Sequence, residues 1–147
     1  MTTKQIGNVG EAMALTNFVK WGIPVYIPFG DNERADLIAD FNGKLQKIQV
    51  KTSEKCENGK FNFSLVSSTT HRKNGVKHIY TEDEIDFFCL YNLESDVLML
   101  VPIQDLEGQY LITFKYDWVP SRNQYKTLNW KDYTFEKWFK KDKDINE

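Results

Sequence analysis

The 147-residue sequence predicts an α/β domain: a mixed β-sheet with an N-terminal helix packed on it, additional strands and a C-terminal helix. Three observations carry this expectation. A periodic apolar stretch before Trp21 opens on a threonine cap. An Asn42-Gly43 pair joins two strand-like segments, and Asn-Gly is the strongest short-range hairpin signal because a type I′ turn needs positive φ at both central residues. Two unbroken apolar runs, Phe87 to Tyr91 and Val97 to Val101, have strand length and are rich in β-branched and aromatic residues, as fully buried strands are.

Taken in order, Thr2 or Thr3 caps a helix running to about Trp21, with Thr2 and Gln5 spaced as a capping box and Gly22 and Pro24 as its stop. Ile6, Val9 and Met13 mark one apolar stripe on it and Leu15 with Phe18 a second, which predicts burial on more than one side. Val25 to Phe29 reads as a short first strand ended by Pro28, and the loop from Gly30 to Glu33 leads into the hairpin. A second Asn-Gly, Asn58-Gly59, precedes the alternating segment Phe61 to Leu65, expected to continue the meander. His71 to His78 is a basic, turn-containing loop, and Thr81 to Glu84 one capped helical turn. Pro102 starts a short helix ending near Gly108, Tyr110 to Tyr116 is a further strand, and Phe135, Trp138 and Phe139 mark an amphipathic C-terminal helix.

The length suits one domain, residues 1–147, that buries roughly 70% of its unfolded surface. An apolar content of 41% is that of a packed globule. A net charge of −2 means that nucleic-acid binding must rest on a local basic face, not on global charge. Cys56 and Cys89 fit no metal spacing and read as free thiols, consistent with a cytoplasmic setting. No apolar run approaches a membrane span.

The hairpin holds the candidate site. With Asn42 and Gly43 as the loop, Phe41 faces Lys44 and Asp36 sits opposite Gln49; opposed residues share a face, with Cβ atoms ~5 Å apart. Lys51, two residues on, returns to that face, so a carboxylate, an amide carbonyl and an amine converge. Asp36 has poor strand propensity and offers the hard anionic oxygen that Mg²⁺ prefers. Asp40 shares its face but lies near the turn, in solvent. A lysine beside an activated water can hold the nucleophile and offset charge developing at phosphorus. Glu11, on a helical face with Leu15 and Phe18, is a carboxylate in an apolar stripe and needs a partner. Each alone is an ordinary residue; their order and pairing are specific.

Gly7-Asn8-Val9-Gly10-Glu11, Ala35-Asp36-Leu37-Ile38 and Ile48-Gln49-Val50-Lys51 resemble the motifs of PD-(D/E)XK nucleases, most closely the intron-encoded homing endonucleases of that class from cyanobacterial group I introns. The resemblance implies a restriction-endonuclease-like core, with Glu11, Asp36 and the Val50 carbonyl binding Mg²⁺, or Mn²⁺ in its place, and Lys51 as the catalytic lysine. It departs from the family at Gln49, where an acidic residue is usual, and in showing no obvious crossover helix. Intact Asp36 and Lys51 favour a working variant that leans on Glu11 over a disabled site.

The implied function is a metal-dependent, sequence-specific DNA endonuclease that cuts both strands. One site cuts one strand, so the expected partners are double-stranded DNA with a pseudo-palindromic site and a second copy of the chain, at least a dimer and by the resemblance a tetramer. The candidate DNA contacts are Lys44, Lys47 and Lys55 on the lysine-rich strand (with Lys60 beyond it), the loop residues His71, Arg72, Lys73, Asn74 and Lys77, and the later Arg122, Asn123 and Gln124. Trp130, Trp138 and Phe139 form either a subunit contact or core packing. A Holliday junction resolvase of the same fold and a non-catalytic DNA-binding relic compete with this reading, the former disfavoured by a sequence pI of 5.7. Neither histidine belongs to a metal or nucleophile arrangement.

Overall fold

In a computed structural model, which describes residues 1–30, 34–68, 77–106, 108–120 and 127–140, helix α1 (Thr3–Lys20) leads into a five-stranded sheet. Thr2 caps α1 in both senses of the capping box: its hydroxyl accepts from the Gln5 N–H, and the Gln5 side chain accepts from the Thr2 N–H. Strands β1 (Val25–Tyr26), β2 (Leu37–Phe41) and β3 (Lys44–Ser53) form an antiparallel meander. After the short strands β4 (Lys60–Ser64), β5 (Val66–Ser68) and β6 (Lys77–Ile79), the chain returns with β7 (Phe87–Asn92) and β8 (Val97–Pro102). The sheet order is β1-β2-β3-β7-β8, with β3 and β7 parallel and the other pairs antiparallel, so the expected mixed sheet is present. The β2–β3 register is the one that the Asn-Gly turn dictates, from Phe41 opposite Lys44 to Leu37 opposite Ile48. Asn42 and Gly43 hold φ of 54° and 92°, as the turn requires.

The sheet is buried on both faces. Ala14 and Phe18 of α1 pack with Leu37, Ala39, Ile48, Val50, Cys89 and Leu100, and helix α2 (Phe135–Phe139) closes the same side through Phe135. Phe18 is the hub: its ring centroid is 4.7 Å from that of Phe135 and 6.2 Å from that of Phe139. Burying such a side chain contributes about 1.5–3 kcal/mol. On the opposite face, Phe88, Leu90, Met99 and Val101 meet Phe61, Phe63 and Phe114 of a two-stranded ribbon that β4 forms with β9 (Leu111–Lys115).

Three expectations change. The first strand covers only Val25 and Tyr26, because Pro24 and Pro28 bracket it. Helix α1 buries one stripe, Gly10, Ala14 and Phe18, while Ile6, Val9, Met13 and Leu15 are half-buried flanks. The Phe61 segment does not continue the meander: β7 occupies the free edge of β3, and β4 leaves to pair with β9. A parallel β3–β7 connection ordinarily crosses over through a helix; here the described part of the crossover carries β4, β5 and β6 instead. The C-terminal aromatics pack against their own chain, with Trp138 still exposed at one side. The Trp138 indole N–H donates to the Leu100 carbonyl at 2.7 Å, Phe139 packs edge-on against Phe41 at 5.2 Å, and Trp130 stacks on Tyr116 at 5.5 Å.

Candidate active site

The site lies where β2 ends and β3 continues. β2 leaves the sheet at Leu37, yet β3 stays paired with β7 as far as Ser53. Asp36 fills the gap: its N–H donates to the Ile48 carbonyl at 2.8 Å, and its Oδ2 accepts the Val50 N–H at 2.9 Å. The carboxylate thus takes the place of the next backbone acceptor of β2. Strict alternation puts Asp36 on the Ile38 face, but the chain bends there, and Ala35 packs in the same cluster as Ile38. The side chain therefore lies at the sheet edge, open to groups from both faces. Asp40, expected in solvent near the turn, is half-buried and accepts the Gly43 N–H at 2.6 Å within it.

Lys51 comes from the face opposite α1. Its ammonium donates to the Val66 carbonyl of β5 at 2.8 Å and lies 5.4 Å from the centre of the Tyr80 ring. Burial lowers the Lys51 pKa, opposed by the Asp36 charge. Burial likewise pushes the Asp36 carboxyl up, against the Val50 N–H and the Lys51 charge that pull it down. Gln49 is buried, and its Nε2 donates to the Val50 carbonyl at 3.3 Å.

Glu11 comes from the helix side. The preceding residue, Gly10, lies against Thr52 of β3 so closely that a Cβ at position 10 would overlap the threonine hydroxyl. Only glycine permits this approach, and it sets the exposed Glu11 within electrostatic reach of Asp36. Partial burial and then the Asp36 charge raise the Glu11 pKa. At this strand end Asp36 lies within electrostatic reach of both the Glu11 carboxylate and the Lys51 ammonium.

Among the described residues no three His, Cys, Asp or Glu side chains gather as metal ligands. The donors present are two carboxylates and amide oxygens, a hard set. Mg²⁺ is commonly held by one or two carboxylates with waters and substrate phosphates completing the octahedron. A carboxylate raised by a neighbouring carboxylate, as Glu11 is by Asp36, also suits a cation close by. That donor chemistry suits a hard divalent ion, with Glu11, Asp36 and the Val50 carbonyl as the candidate ligands.

The candidate DNA contacts scatter. Lys44, Lys55 and Lys60 are exposed, but alternation puts Lys44 on the α1 face of β3, and Lys60 belongs to the β4–β9 ribbon. The Lys47 ammonium is held by the Asp83 carbonyl at 3.0 Å. His71, Arg72, Lys73, Asn74, Arg122, Asn123 and Gln124 lie outside the described residues, as does the side chain of Lys77, whose backbone opens β6. Sequence reasoning missed Tyr80, Ser67, Arg34 and Glu84 beside the site. Only their proximity in the fold assembles them, because β5 and β6 carry no motif.

A profile of the family described as PD-(D/E)XK endonuclease matches residues 1–136. Among solved structures the chain is similar to a bacterial homing endonuclease, I-Ssp6803I, at 26% identity and a TM-score of 0.72, over 94% of this chain and 91% of that one. A search of curated proteins gives no match.

Proposed function

We propose, for a chain that belongs to the PD-(D/E)XK endonuclease family, a metal-dependent, sequence-specific DNA endonuclease of the intron-homing kind that hydrolyses phosphodiesters on both strands. Residues 1–147 act as one nuclease domain with DNA-reading loops embedded in it. The observation that supports this most is the strand-end carboxylate of Asp36, bonded to the Val50 N–H, with the Lys51 charge on one side and the Glu11 charge on the other. A divalent ion, when bound, supplies positive charge to the scissile phosphate. Glu11, Asp36 and the Val50 carbonyl hold it; Gln49 adds a neutral amide where the family usually carries an acid, so the site has one negative charge fewer. The Lys51 ammonium orients the attacking water and offsets the negative charge that grows on the phosphate as the water oxygen bonds phosphorus and the ester P–O bond breaks. Because one site breaks one strand, a double-strand break requires two copies on a pseudo-palindromic target. The similarity to a bacterial homing endonuclease supports DNA as the substrate.

The test is cleavage of a randomised linear duplex library and of a four-way junction by the purified chain, with end sequencing, in Mg²⁺, Mn²⁺ or EDTA. The reading predicts ends from one duplex site, none in EDTA, and loss of cleavage in Asp36→Ala and Lys51→Ala. Junction cutting alone identifies a resolvase. DNA bound but never cut in either metal identifies a relic.

A further inference from the structure

Val66 ties Lys51 to a part of the chain with no share in the strand-end motif. β5 and β6 form a hairpin, Val66 opposite Ile79 and Ser67 opposite His78, and this hairpin is fastened to the segment that precedes Asp36. The Arg34 guanidinium donates through one terminal nitrogen to the Ser67 hydroxyl at 3.0 Å, and its Nε pairs with Glu84 Oε2 at 3.0 Å. Glu84 is the convergence point. It also meets His78 Nε2 at 2.9 and 3.1 Å, and its Oε1 accepts from the Thr81 N–H at 3.0 Å and the Thr81 hydroxyl at 3.2 Å. The contacts close a ring: Asp36 to the Val50 N–H, Lys51 to the Val66 carbonyl, Ser67 to Arg34, and Arg34 back along the chain to Asp36.

We propose that Arg34 and Glu84 are positioning residues for Lys51: they lock the β5–β6 hairpin against the Asp36 strand and so fix the carbonyl that aims the Lys51 ammonium. The inference rests on the nuclease reading of Lys51. A single ion pair whose side chains are 38% and 21% exposed adds little stability. What the cluster adds is geometry, because one carboxylate is held by two residues, His78 of the hairpin and Thr81 of the turn after it, while pairing with a guanidinium from the β2 side. An aliphatic ammonium on four rotatable bonds needs such a fixed acceptor to hold one direction. The alternative use of Arg34, direct contact with a DNA phosphate, assigns nothing to Glu84, whose negative charge repels DNA.

Glu84→Gln therefore separates the two. The full chain, labelled with ¹⁵N-lysine, gives a Lys51 ammonium resonance assigned by its loss in Lys51→Arg. In Glu84→Gln and Arg34→Met that resonance is expected to exchange with solvent or broaden away while the backbone amide spectrum stays folded. Single-turnover cleavage at saturating protein is expected to fall about 10- to 100-fold, the effect of displacing a catalytic group by about 1 Å. Affinity for the same duplex with Ca²⁺ replacing Mg²⁺ stays unchanged or tightens in Glu84→Gln. Arg34→Lys, which retains the charge, restores part of both signals and serves if Glu84→Gln fails to fold. An unaltered Lys51 resonance and rate in Glu84→Gln overturn the proposal, as does a loss confined to DNA affinity in Arg34→Met. A wild-type chain that cuts no DNA sinks the nuclease reading instead, and the resonance still decides whether the clamp holds Lys51.

Discussion

Asp36 carries opposing demands. Burial raises its pKa above the ordinary 3.8 even though it accepts a backbone N–H and sits near Lys51. The folded chain therefore keeps that proton to a higher pH than the unfolded chain. Stability falls as pH rises from about 3.8 through the folded pKa, and the deficit persists above it. Asparagine retains an acceptor for the Val50 N–H and removes the charge. Asp36→Asn is thus expected to unfold at a higher temperature at pH 7, to show no gain at pH 3.5, and to lose cleavage. Thermal melts at both pH values check it; equal or lower melting at pH 7 contradicts it. At this scale the sequence was readable where local geometry decides. The hairpin register, from Phe41 opposite Lys44 to Leu37 opposite Ile48, follows from one turn. The bend that moves the Asp36 side chain into the sheet edge was not readable, because alternation holds only while a strand stays in its sheet. Nor was the Lys51 acceptor: Val66 lies on a short hairpin whose place depends on the whole fold.

Among the elements, α1 acts through its smallest residue. Gly10 against Thr52 lets the helix axis approach β3, and Glu11 is delivered by that approach. Gly10→Ala improves helix propensity by about 0.8–1.0 kcal/mol, yet it overfills a contact with no space and costs about 1–3 kcal/mol. The net expectation is a lower melting temperature with a disproportionate loss of cleavage, as Glu11 moves away from Asp36. Thr52→Ala in the same chain recovers part of both, since the hydroxyl makes the tightest overlap and the Cβ remains close. Full activity in Gly10→Ala refutes this account of the helix contact. Capping, turn chemistry and continuous apolar runs made α1, the β2–β3 hairpin, β7 and β8 legible in advance, since each is decided locally. The partner of β4 was not. Its alternating Phe61 and Phe63 specify a half-buried ribbon without saying which strand lies beside it, and competition for the β3 edge decided that.

For the whole molecule, the layers explain why the site needs three elements. A strand end open between two buried faces receives Glu11 from the helix side, Lys51 from the ribbon side and Asp36 from the sheet itself. A chain with net charge −2 gains little DNA affinity from its overall field, so under the proposed function a bound cation and local lysines would have to supply most of the attraction to phosphate. In the proposed site, with Gln49 neutral, Glu11 and Asp36 are the side-chain anions left to hold an ion. The direct measurement is the Mg²⁺ concentration for half-maximal single-turnover cleavage in wild type, Glu11→Gln, Gln49→Glu and Lys51→Met. Losing one of two carboxylates in Glu11→Gln is predicted to raise that concentration at least about tenfold, equivalent to about 1.4 kcal/mol. Gln49→Glu lowers it, and Lys51→Met slows cleavage without moving it. An unchanged Mg²⁺ dependence in Glu11→Gln contradicts a metal site shared between helix and strand.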